Sequence, residues 1–112
     1  MKKKSQKSLE KEKVKDWGRK IFERDGGRCQ VCVSLGIDKD LGTHYNPHHI
    51  ITKRCKDLRL DVMNGILLCF THHTFGVMSA HNNALFFADW LKKNKKEQYD
   101  YLIEKIREME KK

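Results

Sequence analysis

Six histidines and four cysteines in a chain of 112 residues are the first feature with chemical content. Cys29-x2-Cys32 is followed much later by Cys69-x2-His72, with His73 alongside. A two-residue gap lets both side chains of one turn converge on a single ion, and a second such turn completes a tetrahedron. Closed Cys3His sets of this kind bind structural zinc. These residues alone leave the fourth ligand open between His72 and His73. Cys55, between Arg54 and Lys56, reads as a non-ligand, and His44 as a loop residue. The competing readings are buried free thiols or a redox pair, but no βαβ pattern surrounds Cys29-x2-Cys32.

A second group comprises His48-His49, Asn64 and His73. Fourteen residues separate His49 from Asn64, and eight separate Asn64 from His73. A neutral imidazole, with an unperturbed pKa of about 6.5, can take a proton from a water that attacks phosphorus. A divalent cation can polarise a phosphate and stabilise charge on the leaving oxygen. Singly, these residues say less. A histidine pair after Pro47 reads as exposed loop, and Asn64-Gly65 as a turn.

Together the two groups resemble the HNH endonuclease family in its zinc-containing form. The likeness covers about residues 17–91: a helix and Gly-rich turn into Cys29-x2-Cys32, then His48-His49-Ile50-Ile51, a basic stretch, Asn64, and Leu68-Cys69-x2-His72-His73. Many members carry Asp-His at the dyad and Cys-x2-Cys before the last histidine. His48 and His72 stand in those places here, and both remain competent to bind metal.

The resemblance implies an α+β fold: a ββα-metal hairpin and helix with a structural zinc knuckle and flanking N- and C-terminal helices. It implies structural Zn2+ on Cys29, Cys32, Cys69 and His72, and one catalytic divalent cation (Mg2+, Mn2+, Ni2+ or Zn2+) on His48 and His73. His49 becomes the general base, its tautomer fixed by a backbone carbonyl, and Asn64 either braces the hairpin loop or orients that base. The implied activity is hydrolysis of DNA phosphodiesters, by nicking or double-strand cleavage, leaving 5′-phosphate and 3′-hydroxyl ends. The compact basic form is similar to small phage and prophage members.

Some members place a second helical histidine one turn after the first. Here His81 follows His73 by eight residues, which a continuous helix would turn into a separation of about 12 Å. Gly76 and Ser79-Ala80 could break the helix and fold His81 back as a further ligand or phosphate contact; otherwise it is a helix-entry residue. Lys53, Arg54 and Arg59 lie between the base and Asn64, where they could meet phosphates flanking the scissile bond. Such contacts position a substrate without reading its sequence.

The elements that must position these residues follow from periodicity. Val14, Trp17 and Ile21 at i, i+3 and i+7 predict a helix from about Leu9 to Arg24, ended by Asp25-Gly26-Gly27. Residues 33–47 form a loop, His48–Thr52 a short strand, residues 53–65 a polar and basic connection, and Ile66–Phe70 a run of strand length. A helix resumes from about Asn83 with Ala84, Phe87, Ala88 and Leu91 on one stripe. A last helix, about Glu97 to Glu110, turns Tyr99, Leu102, Ile103, Ile106 and Met109 inward. Residues 1–8 read as a basic flexible tail, and 9–112 as one domain.

The chain carries a formal charge of +9, with 35% charged and 38% hydrophobic residues. That balance favours a polyanionic partner, here DNA, and a core this lean gains from a metal staple. With no signal peptide and no apolar run near the roughly 18–20 residues of a membrane helix, the expected place is intracellular and reducing, which the resemblance to phage and prophage members makes the cytoplasm of a bacterial or phage-infected host cell. There cysteines read as metal ligands. The main rival is a non-catalytic zinc-binding module that grips nucleic acid, which would keep the tetrad but not need His48, His49 and His73 in register. A protein-interaction zinc domain, docking through Phe86, Phe87 and Trp90, is a third reading.

Overall fold

The computed structural model describes residues 5–111. Its first helix, α1 (Gln6–Arg24), starts inside the stretch expected as a tail. The cause is a cap: the Ser5 hydroxyl accepts the Ser8 N–H at 3.1 Å, satisfying a free donor of the first turn. Residues 5–8 are therefore ordered, and the rest of the expected tail lies outside the described residues. At the other end Gly26 and Gly27 adopt φ of 67° and 69°, and the Gly27 N–H returns to the Phe22 carbonyl at 3.0 Å. Left-handed backbone is open to glycine at little cost, so the chain stops turning at the expected place.

A short helix α2 (Gln30–Ser34) leads through a loop to β1 (Tyr45–His49), which pairs antiparallel with β2 (Gly65–Cys69) in a two-stranded sheet. A 3-10 turn (Val62–Asn64) precedes β2 and a single π turn (Thr71–Phe75) follows it; α3 (Ala84–Asn94) and α4 (Lys96–Glu110) close the chain. The architecture is α+β. Among the described residues, no helix is long and apolar enough to cross a membrane.

The strand expected over His48–Thr52 lies three residues earlier, and Ile50–Thr52 leave the sheet. Pro47 is no obstacle within β1. Phe70 N–H donates to the His44 carbonyl and Ile50 N–H to the Asn64 carbonyl, which places ladder bonds at even-numbered positions of β1. Pro47 faces Leu67, whose own N–H turns away to Asp25 Oδ2 at 2.8 Å, so the missing proline donor costs nothing.

Every residue of β2 is buried, because the strand is covered on both faces. Leu67 packs with Trp17 and Ile21 of α1, whereas Ile66 and Leu68 join Cys29, Cys32, Cys69, Phe87, Trp90 and Leu91. The α3 stripe is rotated from expectation: Phe87, Trp90 and Leu91 are buried, but Ala84 and Ala88 are exposed. On α4 Leu102 is buried together with Gln98, whose amide donates to the Gly65 and Met63 carbonyls at 2.9 and 3.0 Å. Ile106 stays 37% exposed. The polar connection 53–65 hides one core residue, Leu58, at 2% exposure.

Gly65 is where α1 meets the sheet. A Cβ there would lie 2.5 Å from Trp17 Cζ2 and 2.6 Å from Ile21 Cδ1, both buried and held by their neighbours. Gly65→Ala should therefore destabilise the domain by about 1–3 kcal/mol, as overpacked cores do. Chemical denaturation should show a lower midpoint than for wild type.

Candidate metal centres and the histidine beside them

The Cys29-x2-Cys32 knuckle is held from outside. The Cys29 N–H donates to Asp40 Oδ2 at 2.9 Å, Arg28 pairs with the other oxygen of that carboxylate, and the Leu41 N–H points at Cys32 Sγ at 3.5 Å. Burial alone would raise the Asp40 carboxyl, but the Cys29 N–H, the Tyr45 hydroxyl and Arg28 keep it below the usual range. Cys69 ends β2, and the π turn brings His72 inward.

Cys29, Cys32, Cys69 and His72 converge, all four buried. His72 Nδ1 lies 3.4, 3.4 and 3.5 Å from the sulfurs of Cys29, Cys32 and Cys69, and Cys32 Sγ lies 3.9 Å from Cys69 Sγ. A tetrahedral zinc with sulfurs at roughly 2.3 Å and nitrogen at roughly 2.05 Å would set these separations near about 3.6 and 3.8 Å. The cluster fits a structural zinc site. Burial pushes the Cys29 thiol up and takes Cys32 to about 12, which a bound cation would offset. Cys55 stands apart, its sulfur 3.8 Å from Met109 Sδ, and His44 is exposed beside Thr43.

A second convergence lies on the next turn. The π turn presents His73, and the chain then reverses: Ala80 N–H donates to the His72 carbonyl at 2.8 Å and His81 N–H to the His73 carbonyl at 3.1 Å. The Asn82 amide ties off the reversal on the Thr74 and Gly76 carbonyls. His81 is thereby folded back. Its Nε2 sits 3.0 Å from His73 Nε2, and the ligand atoms of His48, His73 and His81 all lie within 4.8 Å of one another. Two imidazole nitrogens sharing one ion would be about 2.9–3.4 Å apart; an N–H···N hydrogen bond spans a similar distance, and only the third nitrogen argues for an ion. Burial, then the neighbouring rings, lowers His48 to about 3 and His73 to about 4, which keeps both neutral as a metal ligand must be.

Strand alternation separates the dyad. Successive side chains of β1 face opposite ways, so His48 joins His73, His81 and Phe87, while His49 meets α1. The His49 ring stacks on Trp17 with centroids 3.9 Å apart and planes 8° apart. Its Nε2 lies 2.9 Å from the Arg59 carbonyl. A carbonyl can only accept, so Nε2 carries the proton and Nδ1 the lone pair. Burial lowers the His49 pKa, partly offset by that carbonyl.

Asn64 is fully buried and works on the loop. Its Oδ1 accepts the Ile51 N–H at 2.7 Å, and its Nδ2 donates to the Ile51 and Leu58 carbonyls at 3.0 and 3.1 Å. It holds the segment that leaves β1, and among the described residues its side chain makes no hydrogen bond to His49. Lys53 lines the cleft with His48, His49, His73 and His81, and Arg54 is exposed. Arg59 differs from expectation: its guanidinium turns to Glu10 of α1 at 3.9 Å, and its contribution to the site is the backbone carbonyl under His49. The cleft has a volume of about 630 Å³ and continues from the histidines along an apolar wall that includes Ala84, Ala88 and Ile103.

No family model, curated protein or solved structure matches this chain.

Trp17 is the residue that pattern reading places only in the core. The stripe of α1 accounts for its burial but not for its second neighbour, which comes from 32 positions away. The one local signal is an indole N–H, which needs a partner when buried.

Two outcomes follow from this geometry. Cys69→Ser should lose bound zinc and several kcal/mol of stability together, on the scale of the metal's contribution in small zinc domains. Cys55→Ser should change neither; elemental analysis and thermal unfolding measure both. Because His48 and His73 are depressed in the folded chain, protons compete for them only well below the ordinary imidazole value of about 6.5. Protons at these two rings should therefore weaken Ni2+ binding only as pH falls toward about 4. The unfolded chain takes up those protons first, so metal-free stability should begin to drop as pH falls through about 6.5.

Proposed function

We propose that this protein is a metal-dependent endonuclease of the HNH type, hydrolysing DNA phosphodiester bonds. The observation that carries the reading is one cleft in which three histidine ligand atoms converge beside a fourth histidine whose tautomer leaves Nδ1 as a base. A zinc-stapled module that only bound nucleic acid would need none of these four rings in one place. The antiparallel β1–β2 pair running into the His73 turn supplies the order of a ββα-metal core, although the turn after β2 is a single π turn and the long helix comes later.

In the proposed reaction His49 Nδ1 takes a proton from water as the water oxygen forms its bond to phosphorus. The bond from phosphorus to the 3′ oxygen breaks, that oxygen leaves with the electron pair and takes a proton from solvent, His49 returns its proton to solvent, and the products are a 5′-phosphate and a 3′-hydroxyl. A divalent cation held by His48, His73 and His81 would polarise the phosphate and offset charge on the leaving oxygen. An all-imidazole set suits Ni2+ or Zn2+ better than Mg2+. Lys53 sits where it can meet a flanking phosphate from the cleft rim. Arg54 would add to this from the surface, and the net charge of +9 draws the polyanion in.

The test is nicking of supercoiled plasmid across a metal titration. His49→Ala should lose about 10²–10⁴-fold in rate, the usual cost of removing a general base, with zinc content and fold unchanged. His73→Ala and His81→Ala should be rescued in part by high metal concentration, and His49→Ala should not. Full activity in His49→Ala would overturn the mechanism. Wild type inactive with Mg2+, Mn2+, Ni2+ and Zn2+ alike, yet still binding DNA, would favour the non-catalytic module.

A further inference from the structure

We propose that Trp17 is the positioning residue of His49: its indole face fixes the plane of the imidazole so that Nδ1, and not Nε2, meets the cleft. This rests on the reading of His49 as the base. Three observations carry it. The rings are parallel within 8° at 3.9 Å, a stacked arrangement rather than incidental side-chain contact. The indole is itself held, 3% exposed, with Nε1–H donating to the Asp61 carbonyl at 2.9 Å. Asp61 is fixed in turn, its carboxylate accepting the Met63 N–H at 2.9 Å and the Tyr101 hydroxyl at 2.5 Å.

His49 is thus restrained on two independent sides. The Arg59 carbonyl takes its Nε2–H at the ring edge, and Trp17 covers its face. The carbonyl alone fixes one atom and leaves the ring free to swing about that hydrogen bond; the stack removes the swing. Gly65 belongs to the same arrangement, since only the absent side chain there lets the indole reach the sheet. A purely structural role for Trp17 would explain its burial and its N–H partner, but not parallel stacking on the one imidazole that is hydrogen-bonded to a backbone carbonyl.

Trp17→Leu keeps apolar bulk without a flat face, and Trp17→Phe keeps a flat face without the N–H. Trp17→Leu should lower kcat about ten- to a hundred-fold, the scale of a misplaced reacting group, with KM for DNA and affinity for the metal unchanged. Trp17→Phe should retain most of kcat. In a His49→Ala background Trp17→Leu should cost nothing further, whereas a structural defect would cost the same in both backgrounds. The ¹⁵N imidazole spectrum at neutral pH supplies a readout independent of cleavage: His49 should be a single Nε2–H tautomer in wild type and in Trp17→Phe, and a mixture in Trp17→Leu. If Trp17→Leu does not fold, Trp17→Phe and the wild-type spectrum still decide. Wild-type His49 as a tautomer mixture, wild-type kcat in folded Trp17→Leu, or an equal loss in the His49→Ala background would each overturn the proposal. Absence of cleavage alongside the expected spectra would instead count against the nuclease reading.

Discussion

Four side chains drawn from α2, the end of β2 and the turn beyond it meet at one point, and the rest of the domain is arranged around that meeting. Three of the fifteen buried apolar residues among those described are the cysteines themselves. Zinc binding in small domains is on the order of 10 kcal/mol, comparable to the roughly 5–15 kcal/mol that stabilises a whole domain. Zinc held by these four residues would therefore contribute on the scale of the fold's whole stability. The tetrad also fixes His72, and His73 is the next residue, so the staple sets one wall of the second cluster directly.

The second constraint is the pleat. Two consecutive histidines on a strand must face apart, and β1 uses this to send His48 to the cluster and His49 to Trp17. Asn64 then holds the chain where it leaves the sheet, through three hydrogen bonds to Ile51 and Leu58. Burial acts on the rings too. It keeps His48 and His73 neutral, and at His49 a backbone carbonyl partly offsets it and dictates which nitrogen carries the lone pair.

Much of this was legible in residue types and spacing. The tetrad could be read because cysteine and histidine pairs two residues apart have few other uses in so lean a chain, and α1 because glycines stop it. What could not be read depends on contacts distant in sequence. The β1 boundary moved because pairing with Gly65–Cys69, rather than β-propensity at Ile50–Thr52, sets where the strand lies. Gly76 and Ser79-Ala80 left the return of His81 open, and the backbone bonds from 80 and 81 to 72 and 73, across seven intervening residues, decide it. Arg59 was legible as a cation but not as the source of the carbonyl under His49, and of the two roles open to Asn64 the bonds to Ile51 and Leu58 favour the brace. Ser5 capped a helix where charge density pointed to a tail.

The central claim is that the two clusters together make a hydrolytic site for DNA, and the chemistry of the severed ends tests it most directly. Protein dialysed free of loosely held metal, with one equivalent of zinc retained, would be given supercoiled plasmid with and without Mn2+ or Ni2+, and the nicks offered to DNA ligase without prior end treatment. The account predicts nicks only when the ion is present, and resealing by ligase, because a 5′-phosphate and a 3′-hydroxyl remain. Nicks that resist ligase because they end in 3′-phosphate, or no nicks with either ion, would contradict it.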